Sequence, residues 1–86
     1  MHYDLEKDIF WRMDNRLRVD LLSSPAAFKI FVACLFENLS VHDMLGRRKL
    51  YESYGLNHHS LRTHANLVNL ALDSYVNTKD NNYGER

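Results

Sequence analysis

The pattern of hydrophobic and polar positions predicts that this chain of 86 residues is helical along most of its length. The most apolar segment covers residues 25–39, where apolar side chains recur in nearly every direction around a helix. It begins with Ser24 and Pro25, a typical helix start, because Ser can cap a helix and Pro suits the first helical position. A helix that is apolar all round must be covered on several faces. We therefore expect a central helix within a small bundle.

Helical spacing of apolar residues on both sides of this segment predicts further helices. Ser40 and Asp43 resemble a capping box, so a short helical turn is expected after the central helix. The polar, turn-rich residues 78–86 are expected to form a flexible tail. The sequence thus predicts one all-α domain over residues 1–77, built as a small bundle of about four helices. Their predicted ranges are residues 4–22, 25–39, 47–54 and 58–73, and the pattern allows the last helix to extend to residue 76.

Composition excludes several classes of protein. Cys34 is the only cysteine, so there is no internal disulfide framework, and its place in the central helix predicts a buried, inert thiol. The N-terminal residues form no apolar signal region, and no apolar run approaches the roughly 20 residues that span a bilayer. We therefore expect a cytoplasmic protein.

Charge is balanced overall but unevenly distributed along the chain. The formal net charge is 0, yet residues 46–66 carry four Arg and Lys residues against Glu52 alone, a net +3. Three histidines in the same window add positive charge below neutral pH. An asymmetry of this kind bears on binding partners rather than on the fold.

The predicted helices over residues 47–54 and 58–73 lie in this basic window. They are connected through residues 54–57, and the sequence Tyr-Gly-Leu-Asn is typical of the turn in a helix-turn-helix. Gly55 permits a positive φ, and Asn57 is a good cap for the helix that follows. Leu50, Tyr54, Leu56 and Leu61 fall where this motif keeps apolar residues.

Residues 47–72 therefore resemble a helix-turn-helix DNA-binding domain. Over about residues 24–72 the chain is similar to the winged-helix subclass seen in bacterial, plasmid and phage regulators and replication proteins. Little sequence remains for the two strands of a wing, so the wing is expected to be reduced or missing. Tyr51 stands where these domains usually keep a small residue, which implies a wider crossing of the two helices. His64 is a second departure, because helix-turn-helix domains commonly have an apolar residue at its position.

The resemblance implies sequence-specific binding of double-stranded DNA, in transcription or replication control. Cations before the turn would contact phosphates, and polar residues early in the second helix would face the bases. The implied DNA-binding residues are Arg47, Arg48, Lys49, Asn57, His58, His59, Ser60, Arg62, Thr63 and Asn66. The plainer interpretation of the same residues is a solvated basic face.

The first helix raises the question of a protein partner. Phe10 and Trp11 are adjacent, so they point about 100° apart and cannot both lie on one narrow buried stripe. Either Trp11 widens the buried face, or aromatic surface is left for a partner. Because helix-turn-helix proteins usually bind DNA as two-fold dimers, we expect a homodimer through this helix. The expected contact residues are Phe10, Trp11, Met13 and Leu17. The alternative function is a non-enzymatic module that binds and modulates a host or partner protein.

Other chemistries fit the sequence poorly. His58, His59 and His64 do not have the spacing of three or four residues that brings helical metal ligands together, and no paired cysteines exist. A nucleophilic cysteine would need an accessible thiolate beside a base, which Cys34 lacks. A ribonuclease built on histidine pairs is disfavoured because the adjacent histidines diverge on a helix. We expect no enzyme activity, no cofactor and no metal.

Overall fold

The computed structural model describes residues 6–84, with side chains described for residues 6–80. No strand occurs among these residues, and the predicted all-α class is confirmed. The described part contains six helices rather than about four, because the predicted first helix is divided and the short turn after the central helix forms a helix of its own. They are α1 (Lys7–Arg12), α2 (Asn15–Leu22), α3 (Pro25–Glu37), α4 (Val41–Leu45), α5 (Arg48–Ser53) and α6 (His58–Gly84).

The prediction of one continuous helix over residues 4–22 is wrong, because the chain turns at Met13 and Asp14. Both residues leave the helical conformation. The Asp14 carboxylate accepts a hydrogen bond from the backbone N–H of Leu17 at 3.1 Å and so caps α2. The backbone N–H of Asp14 donates to Ser74 Oγ of α6 at 2.9 Å. The apolar spacing survives the break because residues from both helices still face one core.

The central helix α3 matches its prediction closely. The Ser24 hydroxyl accepts a hydrogen bond from the Ala27 N–H at 3.3 Å, and Pro25 is the first helical residue. The helix ends at Asn38, which takes a left-handed conformation with φ of 58°. Its most extensive packing is against α6. Its buried side chains are Ala27, Ile30, Phe31, Ala33, Cys34 and Leu35.

An aromatic cluster joins α1, α3 and α6. The fully buried Phe31 ring lies edge-to-face with Tyr75 of α6, with 5.9 Å between ring centroids. Phe10 of α1 lies 6.2 Å from Phe31 and 5.9 Å from Phe28. The Tyr75 hydroxyl also accepts a hydrogen bond from the Glu6 N–H at 2.9 Å. Such pairs stabilise the core beyond the area that they bury.

The last helix is much longer than predicted. The expected end at residues 73–76 is wrong, since α6 continues to Gly84 through most of the predicted tail. A helix of 27 residues spans about 40 Å, which equals the longest dimension of the molecule, 40 Å. Lys79 of this extension pairs with Glu6 at 2.8 Å, so a tertiary contact helps hold a polar segment as helix. Residues 85–86, and the predicted start of the first helix near residue 4, lie outside the described residues.

Candidate nucleic-acid interface

The predicted turn between α5 and α6 is present. Gly55 has a φ of +74°, the left-handed conformation that favours glycine, and the following Leu56 is buried. Asn57 caps α6, as predicted, by accepting a hydrogen bond on Oδ1 from the Ser60 N–H at 2.7 Å. The turn therefore begins the long helix at a defined place, with its first residues at the surface.

A partly buried hydrogen bond holds the end of α5 against α3. The Tyr54 hydroxyl donates a hydrogen bond to the Glu37 carboxylate at 2.5 Å. This bond, together with burial, raises the pKa of Tyr54 to about 12, because the carboxylate favours the protonated phenol. Tyr54 therefore remains a hydrogen-bond donor throughout the physiological pH range. Tyr51 of α5, in turn, is buried in the core.

The residues predicted to contact DNA are brought to the surface, with one exception. Ser60 is half-buried, and its N–H is engaged by the cap. The polar residues of early α6 share one side of the helix, opposite the buried Leu61 and Val68. The exposed members of the predicted set are Arg47, Arg48, Lys49, Asn57, His58, His59, Arg62, Thr63 and Asn66.

Most of the positive charge in this region is free to meet a ligand. Arg48 pairs with Glu52 at 3.1 Å, but both side chains are largely exposed, so the pair holds neither side chain firmly. Arg47, Lys49 and Arg62 form no ion pair with any other residue in the described part of the chain. The start of α5 and the first turns of α6 therefore present cations that form no ion pair within the described residues.

Lys29 is a further cation that sequence reasoning missed. It lies on α3, is exposed, and its Nζ comes to 3.0 Å from the position that a Cβ at Gly55 would occupy. In the sequence it appeared only as a polar member of the central helix. No sequence signal could have placed it beside the turn, because the contact depends on how α3 packs against the α5–α6 connection.

The packing of α5 differs from that of a tight helix-turn-helix. Its main helix contact is with α4, whereas α6 packs against α1, α2, α3 and α4. The bulky Tyr51, where a helix-turn-helix usually has a small residue, is consistent with this sparse contact between α5 and α6. His64, at a position where an apolar residue is common, bonds through Nδ1 to the Ser60 carbonyl at 2.9 Å and is half-buried. No strand follows α6 within residues 6–84.

The four residues predicted to form a dimer contact do not share a surface. Phe10 and Met13 are buried in the core and cannot present a contact surface, while Leu17 is half-buried. Of the two alternatives for Trp11, the one in which it widens the buried face is wrong, because its side chain is 60% exposed. Its ring meets the edge of Phe10 at 5.8 Å and lies 4.9 Å from the guanidinium of Arg18.

An open cleft of about 500 Å³ lies between the end of α3 and the second half of α6. Its lining includes the apolar Leu39 and Val76 together with three asparagines, Asn38, Asn69 and Asn77. One of these, Asn69, already accepts a hydrogen bond from the Val41 N–H at 3.1 Å and so helps to start α4. The cleft is lined by none of the predicted DNA-binding residues.

The described residues also bear on a metal site, on a reactive cysteine and on a membrane-spanning helix. No group of three His, Cys, Asp or Glu side chains among them could hold a metal ion. Cys34 is buried as predicted, and burial raises the pKa of its thiol to about 11, which disfavours a reactive thiolate. No single described helix has the length and apolar character to cross a membrane, although α2 and α3 together, bent by 114°, meet those criteria.

Comparison with known proteins adds no relative. No protein-family model matches the chain, no curated protein matches it, and no solved structure matches it.

Proposed function

We propose that this protein binds double-stranded DNA through a basic face, defined as Lys29, Arg47, Arg48, Lys49, His58, His59 and Arg62. The observation that carries the proposal is the set of exposed cations at the start of α5 and in early α6, with a further exposed cation, Lys29 of α3, beside the capped turn that joins these two helices. Such a surface favours binding to the phosphate backbone of DNA, because each phosphate that a cation neutralises releases counterions.

The cations divide into two roles under this proposal. Arg47 and Lys49 at the start of α5, together with Lys29 beside the turn, contact phosphates, which fixes the position of the protein on the duplex. Arg62 and Thr63 lie within the first two turns of α6, where a helix entering the major groove meets base edges. Arginine is the commonest reader of guanine, so Arg62 carries most of the sequence preference. Sequence-specific binding of this kind serves transcription or replication control.

Fluorescence anisotropy with a labelled random-sequence duplex tests the proposal. If about four phosphates are neutralised, affinity falls roughly 100-fold between about 50 mM and about 200 mM salt. No anisotropy change at micromolar protein, or an affinity that does not respond to salt, would contradict DNA binding by this face.

A matched control separates this face from general electrostatics. Lys7 begins α1, where the neighbouring Glu6 N–H donates to Tyr75. Tyr75 lies roughly 20 Å along α6 from Arg62, since the helix rises about 1.5 Å per residue. Lys7→Ala therefore leaves binding unchanged, whereas Arg47→Ala, with the same loss of charge, weakens it.

The second candidate function is that of a protein-binding module. It is favoured by the exposure of large apolar side chains on the first two helices, with Trp11 60%, Val19 50% and Leu22 51% exposed. Large exposed aromatics commonly anchor protein contacts. If the duplex fails to bind at either salt concentration, this function becomes the better supported one.

A further inference from the structure

The outer side of α2, together with Trp11, forms a surface that nothing in the described chain covers. Leu21 is buried and Leu17 is half-buried, so α2 uses that side against the core. Val19 and Leu22 project on the other side and are about half exposed. We call this surface the α2 face and define it as Trp11, Arg16, Val19, Asp20 and Leu22.

The α2 face carries one positive and one negative side chain at a helical spacing of four. Arg16 and Asp20 are both exposed, and neither forms an ion pair with another residue in the described range 6–80. Their order, with the base preceding the acid, is the less favourable one for pairing within a helix. Both charges are therefore available to a partner.

This arrangement of charges is self-complementary under two-fold symmetry. In an antiparallel pair of α2 helices with the axis near Arg18, Arg16 lies opposite Asp20 of the second copy, and Asp20 lies opposite the second copy's Arg16. The two residues are about 6 Å apart along each helix, so both pairs form at once. Val19 of each copy lies next to the axis. This is the isologous pattern of a closed dimer.

The apolar members of the face obey the same symmetry. Leu22 lies at the C-terminal end of α2, and the Trp11 ring lies beneath the guanidinium of Arg18, the residue near the proposed axis. Arg18 also donates to the Trp11 carbonyl at 2.9 Å, which fixes the turn between the helices. In an antiparallel pair, the two Trp11 rings therefore lie near the axis, and Leu22 of each copy lies toward an end of the contact. Apolar anchors then lie on one side of the axis and ion pairs on the other.

We propose that the occupant of the α2 face is a second copy of this chain, docked as an antiparallel, two-fold pair of α2 helices. The inference stands apart from DNA binding, because it uses no residue of the basic face. Where both hold, the dimer carries two basic faces in one particle.

Charge reversal followed by sedimentation equilibrium tests the proposed pairing. R16E and D20K each place like charges opposite one another twice, and each raises the dimer dissociation constant about tenfold or more. Mixing the two variants in equal amounts restores association, because opposite charges then face each other at both positions. K49E and D43K change net charge equally at exposed sites away from α2, and each dimerises like the wild type.

Several outcomes would overturn the proposal. They are a wild-type chain that stays monomeric at hundreds of micromolar, a dimer that R16E and D20K leave unaffected, and a mixture that associates no better than its components. Circular dichroism of every variant confirms that the fold is retained. Since the mixture contains only the two single variants, recovery of association in it cannot come from a change in monomer folding.

Oxidative crosslinking gives an independent reading of the same geometry. Cys34 is buried, so a cysteine introduced at the surface is the accessible one. V19C, next to the proposed axis, crosslinks to itself in high yield. V76C, whose wild-type side chain is 44% exposed on α6, does not. Equal yields from the two variants, or none from V19C, would place the contact elsewhere or show that the α2 face binds a different partner.

Discussion

Lys29 alters the chemistry of the turn beside which it lies. Its ammonium approaches Gly55, where any larger residue would meet it, and glycine is also required there by the φ of +74°. The same turn is braced by Tyr54 on Glu37 and capped by Asn57. Individual side chains thus fix the position of the turn and of the start of α6, and Lys29 adds a cation beside them.

At this scale the proposed roles of the cations are separable by substitution. Duplexes selected from a random pool by the wild-type protein define its base preference. Arg62→Ala relaxes that preference, while Arg47→Ala and Lys29→Ala weaken binding to selected and unselected duplexes alike. The measurement is the affinity of each variant for both kinds of duplex.

The expected cost of Arg62→Ala is about 1–3 kcal/mol on the selected sequence. A variant at Arg62 that loses the same factor on every duplex would assign that residue to phosphate contact instead. If Arg62→Ala and Arg47→Ala both bind like the wild type, the proposed docking is wrong.

The junction of α1 and α2 shows how one helix becomes two. Asp14 caps α2 through Leu17, and its own N–H is taken by Ser74 of α6. Arg18 donates to the carbonyls of Trp11 and Met13, which have no partner inside the short α1 at its end. These bonds satisfy several of the polar groups freed by the break, which stabilises the turn although the apolar spacing is continuous.

Loss of the Asp14 carboxylate removes the cap and tests this account of the break. Asp14→Ala lowers the free energy of unfolding by about 1 kcal/mol, within the range for helix caps. Asp14→Asn retains a capping oxygen and has little effect. Urea denaturation followed by circular dichroism measures both. Equal destabilisation by the two variants would show that charge, rather than the cap, is what matters.

On the scale of the whole molecule, α3 and α6 form the frame on which the other helices pack. Helices α1, α2 and α4 each contact α6, and the Phe31 ring lies among the aromatic rings of α1 and α6. The basic face and the α2 face are both carried on this frame. Core substitutions therefore act on stability, and on function only through unfolding.

Phe31→Ala lowers the free energy of unfolding by about 3–5 kcal/mol, because it leaves a cavity at the contact of α1, α3 and α6. Leu70→Ala, at a side chain that is 54% exposed on α6, is the control and changes stability by less than about 0.5 kcal/mol. Thermal and urea unfolding provide the comparison. A Phe31→Ala protein that stays folded but loses duplex binding would show that α3 does more than support the basic face.

Sequence by itself determined the features that depend on a few neighbouring residues. The caps at Ser24, Ser40 and Asn57 and the left-handed Gly55 were all predicted and are all confirmed. Each rests on a hydrogen bond to a residue three positions away, or on the steric freedom of glycine, and such local interactions can be read from the chain. The all-α class follows similarly from apolar spacing.

Only the tertiary structure decided the features that depend on distant partners. The bond from Asp14 to Ser74 divides the first helix, and the pair of Lys79 with Glu6 supports a helix where a tail was predicted. The packing of the helices also distinguishes two adjacent aromatic residues, because Phe10 lies in the core and Trp11 lies at the surface. The same distinction between local and tertiary features applies to the candidate site. Its basic helices could be predicted from the sequence, whereas the position of Lys29 beside the turn and the exposure of the α2 face depend on the packing of whole helices.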